Sequence, residues 1–309
     1  MTVSTPTLSR LAVIGAGLIG GSVARAAKAT GAAQTVVVTD ASADARKRVR
    51  EIGASFADTI AETSAEAVKD ADLVVIAVPV GACGDVAKEI AASLKPGAIL
   101  SDVGSVKASV AREMAPFVPS GVHFIPAHPV AGTENSGPDA GFAELFVNRW
   151  CILTPVDGTD PAGTETLQAF WEKIGANVAV MTPEHHDLVL AITSHLPHLI
   201  AYTIVGTASD LEDVTRSEVI KYSAGGFRDF TRIAASDPTM WRDVFLSNKE
   251  AVLEMLQRFS EDLTALQRAI RWDKGDELFD LFSKTRAIRR RIIEEGQDDA
   301  APDFGRTHD

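Results

Sequence analysis

A histidine in an irregular segment near the middle of the chain is the side chain best suited to proton transfer. His128 lies in the run FIPAHPVAGTEN, residues 124–135, where proline, small residues and a glutamate favour neither a helix nor a strand. The apolar stretch before it is typical of a buried strand. Because open α/β sheets bind ligands beyond the carboxyl ends of their strands, we expect His128 on a loop at a ligand site.

Ser105 follows another apolar stretch and is expected at the same edge of the sheet. Its hydroxyl group can hydrogen-bond to an imidazole and so select the tautomer of His128. Capping of the following helix is an alternative role, compatible with the first. Lys107 is expected to be a charge on a helix surface, and the neighbours His185 and His186 are expected to cap a helix or to face solvent.

The segment TSHLPH in the second half of the chain predicts an interrupted helix that carries His195 and His198. Pro197 has no amide hydrogen for the carbonyl of Thr193, so the helix is expected to kink there. The two histidines then line a pocket, or one lies in the core and one at the surface. No metal site is expected, since no carboxylate or third histidine completes a ligand set. Trp241 is expected in the core or in a pocket wall.

Two arginines with helical spacing, Arg228 and Arg232, follow a pair of glycines that begins at Gly225. In an acidic chain, arginines beside glycines indicate a clamp for a carboxylate, because guanidinium binds carboxylates through two parallel hydrogen bonds. The alternative is a salt bridge to Asp229 or Asp243.

The N-terminal run LAVIGAGLIGGS contains a GxGxxG motif between an apolar stretch and a helical one. These glycines permit a tight turn, approach of a pyrophosphate and close packing of helix on strand. The next apolar stretch ends at an aspartate that suits the 2′-hydroxyl of a ribose, so NAD is favoured over NADP. The expected cofactor-binding residues are Gly15, Gly17, Leu18, Ile19, Gly20 and Asp40.

Two nearby arginines, Arg46 and Arg48, qualify this cofactor preference. They are expected to soften the preference for NAD, or else to be solvated charges of a helix.

Periodicity places these residues in a two-part chain. Residues 1–182 predict a Rossmann-like, doubly wound α/β domain, and residues 183–295 predict an all-α domain followed by a disordered tail at 296–309. The predicted strands are 11–14, 35–39, 73–78, 98–100, 124–125, 151–153 and 178–181. The predicted helices include 41–52, 84–94, 184–209, 215–223, 238–272 and 276–295.

Composition narrows the class of protein. The chain has 309 residues, a net charge of −12 and two cysteines, Cys83 and Cys151. The charge argues against nucleic acid and anionic membranes as partners, and no apolar run is expected to span a bilayer. The cysteines predict core thiols in a reducing cytoplasm. A local cluster of arginines still permits a small anionic substrate.

Two heptad series run through the helix predicted at residues 238–272. The apolar residues that repeat every seven positions are Phe245, Val252, Phe259 and Leu266, and Leu256, Leu263 and Ile270. This seam predicts either an intrachain bundle or the interface of a homodimer.

Five segments in order together resemble the prephenate/arogenate dehydrogenases of tyrosine biosynthesis. They are GAGLIGGS from Gly15, DVGSVK from Asp102, HPVAGTE from His128, SHLPH from Ser194 and GGFRDFTR from Gly225. The resemblance extends from about residue 10 to about residue 270. It implies a homodimeric enzyme with a Rossmann-like domain and a helical dimerisation domain.

The resemblance also implies the chemistry and the roles of individual residues. A cyclohexadienol loses a hydride to NAD and its ring carboxylate as CO2, so that the ring becomes aromatic. His128 matches the catalytic histidine, Ser105 the serine that orients it, and Arg232 the arginine that binds a substrate carboxylate. Glu134 matches a glutamate that gates the pocket. The other matching positions line the pocket: His195, His198, Gly225 and Trp241, which is also a position that reaches across the dimer.

Several alternatives remain at this point. The substrate is prephenate, arogenate or both, and a histidine at His198 resembles the members that accept prephenate. Another two-domain dehydrogenase, acting on a β-hydroxyacid or an imine, would need a different base. A regulatory protein that senses NAD would bind the cofactor without turnover. No segment is left for a mutase or regulatory domain, so a monofunctional chain is expected.

Overall fold

The structure, a computed structural model, describes residues 8–133, 135–210 and 225–292. Two compact units are distinguished, one that ends at Ala251 and one that begins at Val252. The domain boundary predicted after residue 182 stays a prediction. The helix predicted at 215–223 and the tail predicted from residue 296 lie outside the described residues.

A six-stranded, fully parallel sheet forms the N-terminal part of the first unit, which confirms the predicted α/β class. Its strand order is β3-β2-β1-β4-β5-β6. The strands are β1 (Leu8–Ile14), β2 (Ala33–Thr39), β3 (Thr59–Ile60), β4 (Leu73–Ile76), β5 (Ile99–Asp102) and β6 (His123–Phe124). Because all six are parallel, the segments after β1, β5 and β6 leave the sheet at one edge.

Both faces of this sheet are covered, which explains why its strands lack polar alternation. In β1, Leu11 and Val13 pack into one apolar cluster, while Ala12 and Ile14 pack into another. β4 alternates in the same way between the two clusters. Side chains of successive strand residues point to opposite faces, so a strand between two layers of helices must be apolar throughout.

A second sheet of three strands holds the segment of His128. It consists of β7 (Ala127–Pro129), β8 (Trp150–Leu153) and β9 (Asn177–Val180), with β7 antiparallel to β8 and β8 parallel to β9. The expectation that His128 lies on a loop is therefore wrong. The chain leaves β6 at Phe124, and four residues later His128 pairs with Ile152, although Pro129 itself has no amide hydrogen to donate.

The helices of the first unit cover the large sheet and continue beyond it. They are α1 (Leu18–Thr30), α2 (Ala43–Ile52), α3 (Ser64–Val68), α4 (Cys83–Ile90), α5 (Ala108–Met114), α6 (Pro161–Lys173), α7 (Pro183–Leu190), α8 (Leu196–Ser209), α9 (Gly225–Thr231) and α10 (Pro238–Ser247). A turn of π-helix, Ala191–His195, joins α7 to α8. Among the described residues after β9 no strand occurs, in agreement with the predicted all-α character.

One helical stretch, Pro183–Ser209, is long and apolar enough to cross a membrane by length and composition, contrary to the expectation from the sequence. Only 28% of its most apolar part is buried. It also carries buried polar side chains at His186, Asp187 and His195, which a core helix with a functional site can satisfy through hydrogen bonds.

The last two helices are α11 (Lys249–Arg271) and α12 (Gly275–Ile292). Asn248 separates α10 from α11, so the single helix predicted at 238–272 is two helices. Within the second unit, the predicted seam is incompletely covered: Leu263 and Ile270 are 44% and 64% exposed. Phe279 of α12 is 71% exposed.

Candidate active site

Asp187 of α7 joins that helix to the N-terminus of α5. Its carboxylate accepts hydrogen bonds from the backbone amides of Lys107 (2.8 Å) and Ala108 (2.9 Å). These first amides of a helix have no partner within the helix itself, and a carboxylate is favoured at this end. Ser105 therefore does not cap α5, since a residue about eighty positions away does so.

The same carboxylate begins a chain of side-chain hydrogen bonds that ends at His128. Asp187 Oδ1 lies 2.8 Å from His186 Nδ1, and His186 Nε2 lies 2.8 Å from His128 Nδ1. His186 is fully buried and His128 is 7% exposed. The expectation that His186 caps a helix or faces solvent is wrong, whereas the exposed His185 donates its amide to the N-cap Thr182.

Lys107 is not a surface charge, because its side chain is completely buried. Its ammonium group forms an ion pair with the equally buried Asp102 and donates to the carbonyl of Ala127 at 2.7 Å. Asp102 also accepts from the amides of Gly104 and Ala127. A buried charge persists only when it is paired and hydrogen-bonded, and here the pair holds the backbone directly before His128.

The imidazole of His128 is neutral in this environment. Burial holds its pKa well below 6.5, and the nearby His186, Lys107 and His195 lower it further. Its Nε2 makes no hydrogen bond among the described residues, so a neutral ring offers a lone pair there. No hydrogen bond joins the hydroxyl of the half-buried Ser105 to His128.

His195 is buried beside Asn248, a residue that the sequence analysis missed. The Asn248 amide nitrogen donates to the Asp187 carbonyl at 2.8 Å and to His195 Nδ1 at 3.1 Å. The Nε2 of His195 therefore carries the proton, and it makes no well-aligned hydrogen bond within the described residues. Burial lowers the pKa of His195 to about 4.

The interrupted helix places His198 against Trp241. The two rings are stacked with centroids 3.6 Å apart, and His198 Nδ1 donates to the carbonyl of Ser194 at 2.9 Å. That acceptor lies in the π-helical turn before Pro197, where the regular helical bonding is interrupted. Trp241 is buried in the apolar core, and its Nε1 has no partner among the described residues.

The arginine segment lies at the surface. Arg232 begins a short 3-10 turn after α9 and is exposed. Burial is the main cause that lowers the pKa of His198, and the charge of Arg232 lowers it further. Arg228 pairs with Asp229 at 3.5 Å, so the salt-bridge alternative applies to that arginine. Gly225 begins α9 and is half-buried. The predicted gate Glu134 lies outside the described residues.

The glycine loop has the shape that a dinucleotide requires. A Cβ atom at Gly15, where φ is +104°, would lie 2.3 Å from the Ala77 carbonyl oxygen, and one at Gly20 would lie 2.0 Å from the Gly15 oxygen. A Cβ at Gly17 would meet nothing within 4 Å, so that face is open. Gly17 is the N-cap of α1 and provides no side chain to cap the helix, which leaves the amides of Leu18 and Ile19 for an anion.

Asp40 lies beside this loop at the end of β2. Its carboxylate accepts from the amides of Ala16 and Ser42, each at 2.8 Å. Arg46 is no solvated charge, because it donates to the Asp40 carbonyl at 2.6 Å and pairs with Glu62. Arg48 is exposed and binds Asp139 through three hydrogen bonds. The residues thus fit a dinucleotide whose ribose meets a carboxylate.

The described residues contain no group of three or more histidine, cysteine, aspartate or glutamate side chains suited to a metal ion. Both cysteines are buried thiols; burial raises the pKa of Cys83 and of Cys151.

The residues that the sequence analysis missed are Asp102, Lys107, His186, Asp187 and Asn248. For His186, Asp187 and Asn248 the local pattern contains no clear indication, because a polar residue near a helix end is ordinarily solvated. Asp102 and Lys107 are different, since both belong to the DVGSVK segment that carried the resemblance. An aspartate at the end of a strand, five residues before a lysine, is compatible with a buried ion pair at a sheet edge.

Comparison with known proteins agrees with this architecture. A family model described as the nucleotide-binding domain of prephenate dehydrogenase matches residues 23–180, and one described as its dimerization domain matches residues 182–284. The cyclohexadienyl dehydrogenase of Zymomonas mobilis is 45% identical, over 90% of this chain and 94% of that protein. The prephenate dehydrogenase of Bacillus subtilis is 33% identical, over 89% and 74%.

A solved structure is similar over almost the whole chain. It is prephenate dehydrogenase from A. aeolicus in complex with hydroxyphenyl propionate and NAD+, with a TM-score of 0.86 and 30% identity over 94% of this chain and 100% of that one. Together with the nucleotide-binding and dimerization regions, this similarity shows an oxidoreductase. The chain belongs to the prephenate dehydrogenase family.

Proposed function

We propose that the protein catalyses the NAD-dependent oxidative decarboxylation of prephenate and arogenate, a step of tyrosine biosynthesis. The observation that carries this proposal is the buried, neutral His128, whose Nε2 is left without a partner in the described residues at the ligand-binding edge of the fold. A related protein at 45% identity is a cyclohexadienyl dehydrogenase, a name that covers both substrates.

His128 acts as the base for the substrate hydroxyl. When bound, NAD accepts a hydride from the ring carbon that bears this hydroxyl group. His128 Nε2 takes the hydroxyl proton, the ring carboxylate departs as CO2, and the proton returns to the oxygen of the aromatic product. Because aromatisation favours decarboxylation, the protein mainly orients the ring and holds the proton, a contribution of about 10²–10⁴-fold.

The remaining residues of the site suit the polar groups of the substrate. Arg232 provides a positive charge near His198, as binding of a carboxylate requires. Trp241 Nε1 is a buried donor without a partner in the described residues, and such a group favours a ligand that accepts from it. The N–H of His195 is directed to the backbone of Ser105, which joins that histidine to the segment of the predicted orienting serine. Ser105 and Glu134 keep the roles that the family resemblance implies, orientation of His128 and gating of the pocket.

The hydrogen bond of His198 bears on the choice of substrate. Its Nδ1–H is used by Ser194, so a neutral ring offers Nε2 as an acceptor, which suits the ammonium group of arogenate. A protonated ring offers a donor, which suits the keto group of prephenate. We propose that both substrates are used and that the preference shifts towards arogenate as the pH rises.

NAD is proposed as the cofactor in preference to NADP. The Asp40 carboxylate lies where a ribose 2′-phosphate would be repelled, and Arg46 and Arg48 are engaged with other groups. The experiment is the formation of NADH or NADPH from prephenate and from arogenate, each with NAD and with NADP. We expect turnover with NAD and both substrates; no absorbance change in all four mixtures would refute the function.

We further propose a cytoplasmic homodimer that makes no complex with nucleic acid or membranes. The family's dimerization region matches residues 182–284, and it contains the exposed apolar residues of α8 and of the second unit. Residues 1–182 would bind the cofactor and residues 183–295 would complete the substrate site. Sedimentation equilibrium tests the dimer: a monomer at micromolar concentration would contradict it.

A further inference from the structure

The carboxylate–imidazole–imidazole chain from Asp187 through His186 to His128 has a defined direction of hydrogen bonding. Asp187 accepts two backbone amides in addition to His186 Nδ1, an arrangement that an ionised carboxylate satisfies and a protonated one does not. His186 Nδ1 therefore carries a hydrogen and donates it. In a neutral ring, the Nε2 of His186 must then be an acceptor.

The acceptor at His186 Nε2 determines the tautomer of His128. At 2.8 Å, it requires a hydrogen on His128 Nδ1. The neutral His128 ring then has its lone pair at Nε2, the atom that a base needs. With the opposite tautomer of His186, its Nδ1 lone pair would face the Asp187 carboxylate, so two acceptors would lie against each other in a buried site.

We propose that His186 and Asp187 are positioning residues that hold His128 in the tautomer protonated at Nδ1, so that Nε2 is available to the substrate hydroxyl. This inference rests on the proposed function of His128 as the base. It adds a buried His-Asp pair, bound at Nδ1 of His128, to the orienting role that the family resemblance implies for Ser105. An orienting carboxylate of this type holds the imidazole and stabilises its positive charge without accepting the proton itself.

The charges around the pair agree with this role. Lys107 and its partner Asp102 lie on the side of His128, and His195 lies near both rings. Burial is the largest cause that lowers the pKa of His128 and of His186 from 6.5, and the Lys107 cation lowers both further. Asp187 and Asp102 raise the pKa of His186, but the net direction is downward. The direction of the hydrogen bonds is thus defined over the whole range in which neither ring is protonated.

The tautomer can be observed directly by nuclear magnetic resonance on enzyme labelled with 15N-histidine. The chain contains seven histidines, and the His128→Asn variant identifies the signals of His128 by their loss. We expect His128 of the unaltered enzyme to be protonated at Nδ1 and unprotonated at Nε2. Protonation at Nε2 instead would overturn the proposal. The correct tautomer without any NADH formation would refute the proposed function and support the hydrogen-bond chain.

Asp187→Ala tests the first link. It removes the acceptor of His186 Nδ1, so neither ring is held in a single tautomer. We expect kcat to fall about 10²–10⁴-fold with little change in KM, together with a His128 signal that is no longer that of the form protonated at Nδ1 alone. The control is Asp160→Ala, which removes another aspartate that accepts at a helix N-terminus, that of α6, and should leave kcat unchanged. An unchanged tautomer and kcat in Asp187→Ala would contradict the proposal.

His186→Gln and His186→Leu test the second link and separate positioning from packing. Glutamine can place its carbonyl oxygen where His186 Nε2 accepts, whereas leucine cannot. We expect glutamine to retain the His128 tautomer and kcat within about tenfold, and leucine to lose both. Equal losses in the two variants, in parallel with lower thermal stability, would show a merely structural role. His185→Gln, at the exposed neighbour, serves as the control.

Discussion

The cofactor-binding edge and the proton-transfer half of the site are built in different ways. The first consists of one loop and one nearby aspartate: the Asp40 carboxylate meets the Ala16 amide, 24 positions away. The second joins three distant segments, since His128 and His186 are 58 positions apart and Lys107 and Asp187 are 80 apart. A binding site that uses backbone groups can be formed by one short segment of the chain. Buried charges and imidazoles instead need hydrogen-bond partners, which other helices and strands provide.

The largest effect is expected from removal of the base in the proton-transfer half. His128→Asn leaves no group to take the hydroxyl proton, so kcat should fall about 10²–10⁴-fold. NAD affinity, measured by calorimetric titration, should not change, because the cofactor-binding edge is intact. His185→Asn is the matched control at an exposed position. Nearly full turnover in His128→Asn would indicate a different base and another class of two-domain dehydrogenase.

Loss of the buried cation should destabilise the same half. Lys107→Met leaves Asp102 buried without a counter-charge, which costs about 3–5 kcal/mol in the free energy of unfolding. Denaturant titration measures this. Lys95→Met, which breaks the partly exposed pair with Asp72, should cost about 1 kcal/mol or less. A similar decrease in the free energy of unfolding in the two variants would show that the buried Lys107–Asp102 pair contributes no more to stability than the partly exposed one.

At the cofactor-binding edge, substitution of two glycines should have different effects: one on the stability of the fold and the other on NAD binding. A Cβ at Gly20 would overlap the Gly15 carbonyl oxygen, so Gly20→Ala should lower the free energy of unfolding by about 1–3 kcal/mol. Gly17→Ala meets no protein atom and should leave stability within about 0.5 kcal/mol while it weakens NAD binding. Normal NAD affinity in Gly17→Ala would argue against a pyrophosphate on this face.

Arg232→Ala should act on substrate binding rather than on turnover. A hydrogen bond to a charged group contributes about 1.5–3 kcal/mol, so KM should rise about 10- to 100-fold while kcat changes little. Arg242→Ala, an exposed arginine paired with Asp243, is the control. A selective fall in kcat with an unchanged KM would count against the clamp.

A smaller effect concerns stability at low pH. The pKa of His195 is about 4 in the folded protein and 6.5 in a free histidine, so the unfolded chain binds its proton first. Stability is therefore complete above pH 6.5 and declines as the pH falls towards 4. His128 and His186 contribute with the same sign. Melting temperatures at pH 7.5 and pH 5 measure this, and a higher value at pH 5 would contradict it.

The fold was largely predictable because it depends on repeated local patterns. All seven predicted strands occur, since continuous apolar runs between helical stretches are typical of a parallel sheet covered on both faces. The two strands not predicted, β3 and β7, have only two and three residues. Strands this short form because they pair with a neighbouring strand, and that strand lies in a distant part of the sequence.

Candidate residues were predictable where the residue type itself is unusual in its position. The glycine loop, Asp40, His128 and the broken helix around Pro197 all violate the pattern of their surroundings. Lys107 and His186 do not, because a lysine or histidine near a helix end is ordinarily exposed. Lys107 is buried because Asp102 pairs with its ammonium group. His186 is buried because it hydrogen-bonds to His128 on one side and to Asp187 on the other.

The sequence by itself determined the class of fold, the dinucleotide loop and the histidine that can serve as a base. The tertiary structure decided the state of that histidine, since the direction of its hydrogen bonds is set by a carboxylate on another helix. Local chemistry is encoded by residue type and spacing along the chain. The protonation and tautomer of a buried group depend on which distant partners exclude water around it.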